Sequence, residues 1–312
     1  FVHKLEIIFY FCLTANSKSF YTPRLTAPII LNFKMTSRFF YRFLGHYLNT
    51  LNSIAPAQGG KVGFKYFCSP VRTKINRKQL DFLQTAEESV ITFKGNKIRQ
   101  YKWGNGPKKI LFIHGWQSFS FRWKDYIESL LADNAYTVLA YDAPAHGQSQ
   151  GKRFTVPENA ALIDQLLKEI GEVDVVVSHS IGSFSFFYAF AKHNLPPVKK
   201  LVVMSTPGSA IEFIGYYRQV LKLKPHTINN ITAEFEAFIQ EDLNSVNLPS
   251  LVQGLTIPGL IIHDQKDALT DFSNARLLHQ HWSNSELMTT TGLGHRLRSP
   301  EVINAVIDFI KE

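Results

Sequence analysis

A serine, an aspartate and a histidine spread over the C-terminal half of the chain could together carry out nucleophilic catalysis. Ser180 stands in the string VVVSHSIG, residues 175–182, where a β-branched run gives way to a helical pattern. A sharp turn between strand and helix would present its hydroxyl at the strand end. The small residues Ser178 and Gly182 would let the two backbones approach. The string alone also fits an ordinary turn in which Ser180 caps the helix N-terminus. The prediction of a nucleophilic serine therefore depends on the buried strand before this string and the helix after it.

A base and an acid are needed to activate such a serine. His295, in the string GLGH before the last helical pattern, could take the Ser180 proton and later return one to a leaving group. An acid must then hold the other nitrogen of that imidazole. Two candidates follow an apolar strand that ends near Ile262: Asp264 at the strand end and Asp267 in the loop beyond it.

Charge that develops on a reacting carbonyl oxygen requires two backbone N–H donors. Ile181, directly after the serine, would supply one. Trp116, in the loop after the strand Ile110–Ile113, would supply the other. Gly115 would let this loop pass close to the substrate, and His114 would orient it. The sequence thus predicts an oxyanion hole made by the amides of Trp116 and Ile181.

These strings resemble the α/β-hydrolase superfamily, in its ester-hydrolase branch. The resemblance covers residues 88–312 and includes the strand before His-Gly-Trp, the D-x-x-x-x-G-x-S loop at 142–149, and Gly294-His295. The chain departs from the usual G-x-S-x-G only in having Ser178 at the first position. The resemblance implies the chain order Ser180, Asp267, His295 and favours Asp267 over Asp264, which we expect to cap its turn.

A serine nucleophile predicts acyl transfer to water, with a small hydrophobic carboxylic ester as the substrate and no cofactor. Related haloalkane dehalogenases and epoxide hydrolases use an aspartate at this position. An acyltransferase or thioesterase on the same residues is the alternative, as is a non-catalytic membrane-surface protein that keeps the fold. No H-E-x-x-H, G-x-G-x-x-G or phosphate-binding loop motif occurs, so we expect neither a metal nor a nucleotide.

Strands alternate with helical patterns from about Ser89, which predicts an α/β fold: a mainly parallel sheet with helices on both faces. An antiparallel hairpin around residues 94–96 precedes it. Residues 207–255 interrupt the alternation and are predicted to form a small helical cap over the site. Five aromatic residues there could line an acyl pocket, or simply pack the cap on the body: Phe213, Tyr216, Tyr217, Phe235 and Phe238.

The positive charge of the chain is concentrated at its N-terminal end, where residues 35–87 form a basic arm. Residues 1–80 hold twelve Lys and Arg and one acid, which leaves 22 basic and 24 acidic residues for the rest. Apolar residues at helical spacing predict an amphipathic helix over residues 37–54. We expect residues 37–78 to contact an anionic membrane surface peripherally. Docking of the helix on the body is the alternative, and nucleic acid is disfavoured because no recognition motif accompanies the charge.

Residues 1–34 form a separate extension. Leu5–Leu13 (LEIIFYFCL) resembles the apolar region of a signal peptide. The alternative, suggested by the more regular pattern that opens at Met35, is that residues 1–34 are not part of the native product. The two cysteines, Cys12 and Cys68, form no disulfide framework. They fit a reducing, cytoplasmic compartment, with secretion as the alternative.

Overall fold

The computed structural model describes residues 37–312. The predictions for residues 1–34, including Leu5–Leu13 and Cys12, lie outside this range. An eight-stranded sheet runs through the described chain in the order β1-β2-β4-β3-β5-β6-β7-β8. Its strands are β1 Glu87–Phe93, β2 Asn96–Trp103, β3 Lys108–Ile113, β4 Tyr136–Tyr141, β5 Val173–His179, β6 Val198–Met204, β7 Gly259–Asp264 and β8 Ser285–Thr290.

Eleven α-helices are found in the described residues. They are α1 Ser37–Ile54, α2 Pro56–Phe67, α3 Arg77–Leu83, α4 Lys124–Leu131, α5 Val156–Ile170, α6 Ile181–Lys192, α7 Ala210–Leu221, α8 Pro225–Ile239, α9 Leu248–Leu251, α10 Ser273–His281 and α11 Pro300–Lys311. Within residues 37–312, no helix is both long and apolar enough to cross a bilayer.

The predicted mainly parallel sheet is confirmed. The strands β4, β3, β5, β6, β7 and β8 pair in parallel, while β1 and β2 form the predicted antiparallel hairpin at one edge. The central strand β5 is buried on both faces, which explains its unbroken β-branched run. Val176 packs in the layer of α5 and α6, and Val175 and Val177 in the layer of α4 and α11. This parallel pairing brings the carboxyl ends of β5, β7 and β8 to one edge.

The arm packs against the helices that follow β6. Tyr41, Leu44 and Leu48 of α1 form a small core with Leu221, Leu223 and Ile231 at α7 and α8. Glycines let α2 cross α8 closely: a Cβ at Gly63 would lie 2.4 Å from Ile231 Cδ1, and one at Gly60 would lie 2.8 Å from the Asn230 carbonyl oxygen.

The helix predicted over residues 37–54 is confirmed with those bounds, but a second helix was missed. The sequence pattern predicts no further helix in the arm after residue 54. The structure instead begins α2 at Pro56, where proline suits the first turn. Its glycines lower the intrinsic helix propensity, and the contact with α8 compensates for this loss.

Candidate active site

Ser180, His295 and Asp267 form one hydrogen-bonded chain at the carboxyl edge of the sheet. The Ser180 hydroxyl lies 2.9 Å from His295 Nε2, and His295 Nδ1 lies 2.7 Å from Asp267 Oδ2. Since a carboxylate only accepts, Nδ1 carries the proton and donates it to Asp267, while Nε2 accepts from the serine. The structure therefore brings together the three residues named from the sequence, in an arrangement that suits a general base beside a nucleophile.

Ser180 occupies a strained turn between β5 and α6. Its φ of 56° and ψ of −128° are rarely adopted by a residue with a side chain. The Ser180 N–H donates to the Met204 carbonyl at 2.8 Å, which fixes the turn to the neighbouring strand β6. A Cβ at Gly182 would lie 2.4 Å from the His114 carbonyl oxygen, so glycine is required there. Ser178 is tolerated at the usual glycine position, and its hydroxyl donates to the Val202 carbonyl.

Asp267 is held as a carboxylate by several donors. Besides His295, it accepts hydrogen bonds from the Leu269 N–H at 2.8 Å, the Thr270 N–H at 3.2 Å and the Thr270 hydroxyl at 2.8 Å. Burial alone would raise the pKa of Asp267, but the hydrogen bonds and the nearby imidazole outweigh it and lower this pKa overall. The acid is therefore ionised and oriented before any substrate binds.

Asp264, the rival acid, has a different set of partners. It is fully buried and accepts from the Leu293 N–H at 2.8 Å, the Gly292 N–H at 3.2 Å and the Thr290 hydroxyl at 2.8 Å. Burial acts to raise its pKa, yet these hydrogen bonds together lower it to about 2. Asp264 also accepts from the Lys266 N–H, as a turn-capping aspartate does. It thus anchors the loop that leads to His295 and does not contact the imidazole.

The loop after β3 lies directly against the serine turn. A Cβ at Gly115 would lie 3.0 Å from Ser180 Cβ and 2.9 Å from His179 Nδ1, so only glycine permits this approach. Within residues 37–312, the amides of Trp116 and Ile181 have no backbone acceptor; Ile181 is the first residue of α6. The two predicted donors are thus placed beside the serine with their N–H groups uncommitted.

His114 ties this loop to the end of β4. Its Nδ1 donates to the Gly115 carbonyl at 2.8 Å, and its Nε2 accepts from the Ala143 N–H at 2.9 Å. Complete burial lowers the pKa of His114, which keeps the ring neutral and able to accept at one nitrogen while it donates at the other. The supporting position predicted for His114 is therefore occupied by a ring that joins two loops.

Two residues that the sequence did not single out for this purpose position the His295 segment. His179, the residue before Ser180, is buried, and its Nε2 donates to the His295 carbonyl at 2.8 Å. Burial lowers its pKa well below the usual value, so the ring stays neutral. Arg122 donates to the Arg296 carbonyl at 2.9 Å. No local pattern could have found these contacts, because each joins residues more than a hundred positions apart.

An apolar cavity of about 60 Å³ adjoins the serine turn. Trp116 and Ile181, the two predicted donors, lie in its wall. Further walls come from Phe184 in α6, Phe213 in α7, and Phe235 and Phe238 in α8. Three of the five aromatic residues proposed for an acyl pocket therefore line it. Of the other two, Tyr216 is exposed and Tyr217 packs on the ring of Phe67 instead.

The arm closes part of this cavity. Phe67 and Cys68, at the end of α2, belong to the lining. The Phe67 ring lies edge-on to Phe235 and Tyr217, with centroid distances of 4.8 and 4.9 Å. Burial raises the pKa of the Cys68 thiol to about 12, so this side chain is a neutral part of the wall.

In the described part of the chain, no cluster of His, Cys, Asp and Glu is arranged to hold a metal ion.

Comparisons with known proteins bear on the fold of this chain. The model of the Alpha/beta hydrolase family matches residues 110–238. A curated relative is the dihydrolipoyllysine-residue acetyltransferase component of the acetoin cleaving system of Cupriavidus necator, 35% identical over 91 residues, or 28% of this chain and 24% of that protein. The chain spans less than half the length of the curated relatives it matches.

Two solved structures share the fold. Alpha/beta hydrolase domain-containing protein 10 from mouse superposes with a TM-score of 0.57 and 16% identity, over 72% of this chain and 97% of that one. An esterase from Exiguobacterium antarcticum superposes with a TM-score of 0.54 and 17% identity, over 72% and 99%. At these identities the likeness establishes the architecture, and the chemistry must be argued from the residues.

Proposed function

Because this chain belongs to the α/β-hydrolase superfamily, we propose that it hydrolyses carboxylic esters through an acyl-enzyme formed on Ser180. The observation that carries this proposal is the continuous hydrogen-bonded chain from the Ser180 hydroxyl through His295 to the carboxylate of Asp267. In the proposed mechanism, His295 acts as a base beside a strained, buried serine, and Asp267 supplies a fixed negative charge behind this base.

In the acylation step, Ser180 Oγ attacks the ester carbonyl carbon while its proton passes to His295 Nε2. The imidazole becomes a cation, which the ionised Asp267 stabilises through Nδ1–H. The negative charge on the carbonyl oxygen is stabilised by hydrogen bonds from the amides of Trp116, the residue after Gly115, and Ile181, the residue after Ser180. Collapse of this intermediate expels the alkoxide, which takes the proton from Nε2 and leaves as the alcohol.

In the deacylation step, water takes the place of the alcohol. His295 Nε2 accepts a proton from the water, whose oxygen attacks the acyl carbon, and the proton then returns to Ser180 Oγ as the acid leaves. The same two amides bind the second oxyanion. Throughout, His179 and Arg122 fix the backbone of residues 295–296, so that the imidazole keeps its alignment between serine and aspartate.

The cavity supports a substrate with a hydrophobic acyl group. Its walls are almost wholly apolar, and they include Trp116 and Ile181, whose amides would bind the carbonyl oxygen. A single water needs roughly 10–15 Å³ of such space, so a cavity of about 60 Å³ accepts a chain of only a few carbon atoms. Short hydrophobic acyl esters are therefore the proposed substrates.

Thioesters fit the same mechanism, and an alcohol in place of water would make the protein an acyltransferase. Product analysis with an added alcohol separates these activities: a hydrolase releases free acid, whereas a transferase yields the new ester. A non-catalytic role would leave the serine inert. Labelling of the intact chain by a fluorophosphonate would exclude such a role, because this probe reacts only with an activated serine.

The decisive variant is Ser180→Ala. We expect it to lose labelling and to reduce kcat on p-nitrophenyl esters by about 10⁶-fold, as removal of a triad nucleophile does. Ser178→Gly is the matched control: it lies two residues before Ser180 near the end of β5, restores the usual glycine and removes only a hydrogen bond to Val202. Loss of activity in the control with retention in Ser180→Ala would show that the serine has been misassigned.

A further inference from the structure

The helix α1 is apolar on two opposite sides. Tyr41, Leu44 and Leu48 are buried against α7 and α8. A second stripe lies on the other side of the helix at spacings of four, four and seven residues, which is helical periodicity. Its members are exposed: Phe39 by 63%, Phe43 by 70%, Tyr47 by 43% and Ile54 by 76%. The docking of α1 on the body thus accounts for one side and leaves the other in solvent.

This stripe contains four of the eight large apolar side chains that are exposed in the described residues. Single exposed apolar residues are ordinary on protein surfaces, but a contiguous aromatic row on one helix marks an interaction surface. The helix is too polar on its flanks to span a bilayer, as the exposed Arg42 and His46 beside the stripe show. Such a helix is suited to lie in the plane of an interface.

The charge of the arm segment that carries the stripe is of one sign. Residues 37–80 contain eight Lys and Arg and no Asp or Glu. Arg72 is used within the fold, where it donates to the Gly147 and Gly151 carbonyls, and Arg77 pairs with Asp81. Arg42 on α1 and Lys61 and Lys65 on α2 are exposed. A second copy of this arm would bring like charges together, whereas an anionic surface would neutralise them.

We propose that α1 binds the surface of an anionic lipid membrane through the stripe of Phe39, Phe43, Tyr47 and Ile54, with Arg42 and the lysines of α2 near the lipid headgroups. Aromatic and aliphatic side chains bury at the acyl boundary, and each basic residue adds attraction to anionic lipid. The inference is independent of catalysis, because it concerns a surface that the proposed reaction does not use. Membrane binding through α1 would keep a hydrolase of hydrophobic esters close to esters that dissolve in the membrane.

The test is sedimentation of the full chain with vesicles of phosphatidylcholine, with and without phosphatidylserine. We expect binding only to vesicles that contain phosphatidylserine, weakened by added salt. The double variant Phe39→Ser, Phe43→Ser should lower the partition coefficient roughly 10-fold or more, since it removes two buried rings from the bound state. Val90→Ser is the matched control, because Val90 is also exposed, by 45%, but lies on the edge strand β1.

Hydrolysis of a soluble short ester should be unchanged in all these variants, which separates failure of this inference from failure of the proposed function. If the double variant does not fold, Arg42→Glu in the same assay should also reduce binding. Absence of binding by the unmodified chain, equal binding to neutral vesicles, or binding that neither α1 variant alters would overturn the proposal. A dimer of the unmodified chain that Phe39→Ser, Phe43→Ser dissociates, without vesicle binding, would assign the stripe to a second copy instead.

Discussion

Phe67→Ala should change which acyl chain the protein prefers. The ring of Phe67 lines the cavity beside the serine turn and packs on Phe235 and Tyr217, at centroid distances of 4.8 and 4.9 Å. Its removal would extend the cavity toward α2 and make room for further methylene groups. Each methylene that gains a buried position contributes about 0.8 kcal/mol, which is roughly a 4-fold gain in kcat/KM. Two additional methylenes would therefore favour the longer ester by roughly 15-fold relative to the unmodified protein.

The assay is kcat/KM on a series of p-nitrophenyl esters of increasing acyl length. The informative quantity is the ratio of longer to shorter esters, because a general loss of folded protein cancels in a ratio. Phe64→Ala is the matched control: Phe64 packs on the same Phe235 at 4.6 Å and on Phe238 at 5.5 Å, but it is not part of the cavity wall. Both variants lose aromatic packing, and only Phe67→Ala should shift the preferred length.

A uniform fall across all esters in Phe67→Ala would refute the reasoning, because it would mean that the acyl group does not enter this cavity. An equal shift in the Phe64 control would show that the whole α2–α8 contact, and not the cavity wall, sets the preference.

Two further predictions concern ionisable groups. Asp267→Asn should lower kcat about 10⁴-fold, because an amide no longer stabilises the imidazolium. Asp264→Asn should mainly lower the melting temperature, because it loosens the loop before His295. If Asp264→Asn lowered kcat more than Asp267→Asn, the catalytic role would pass to Asp264. His146 lies in the loop after β4, and burial lowers its pKa from 6.5 to about 3. Between these two pH values His146 is protonated in the unfolded state but neutral in the folded state, so the free energy of unfolding should fall as the pH drops from 6.5 toward 3. Urea unfolding should show a slope of about 1.4 kcal/mol per pH unit for this group, and an unchanged slope in His146→Gln would contradict the assignment.

The positions of the chemical groups along the chain could be derived from the sequence alone. The alternation of strands and helices fixes a parallel sheet, and such a sheet gathers residues that follow different strands at one edge. Ser180 after β5 and His295 after β8 were identified from their local strings, and the resemblance to the α/β-hydrolases favoured Asp267 after β7 over Asp264. Their meeting is a consequence of topology, and their catalytic roles stay predictions until the variants are measured.

The arm shows where sequence reasoning stopped. Its first helix was predicted with the observed bounds, because the apolar spacing of residues 37–54 is a local signal. The helix α2 was missed because its glycines weaken the local signal, and their purpose, the close crossing of α8, depends on residues some 170 positions away. The apolar spacing also could not predict which side of α1 packs on the body and which side stays exposed, because both sides of the helix are apolar.

What only the tertiary structure decided is the set of contacts between distant segments. The hydrogen bond from His179 to the His295 carbonyl, the bracing of the 292–293 loop by Asp264, and the closure of the cavity by Phe67 each join residues that no spacing rule relates. Periodicity encodes which residues face the interior, because it follows from the geometry of a single helix or strand. It does not encode which buried group meets which, because that depends on how the elements pack together in three dimensions.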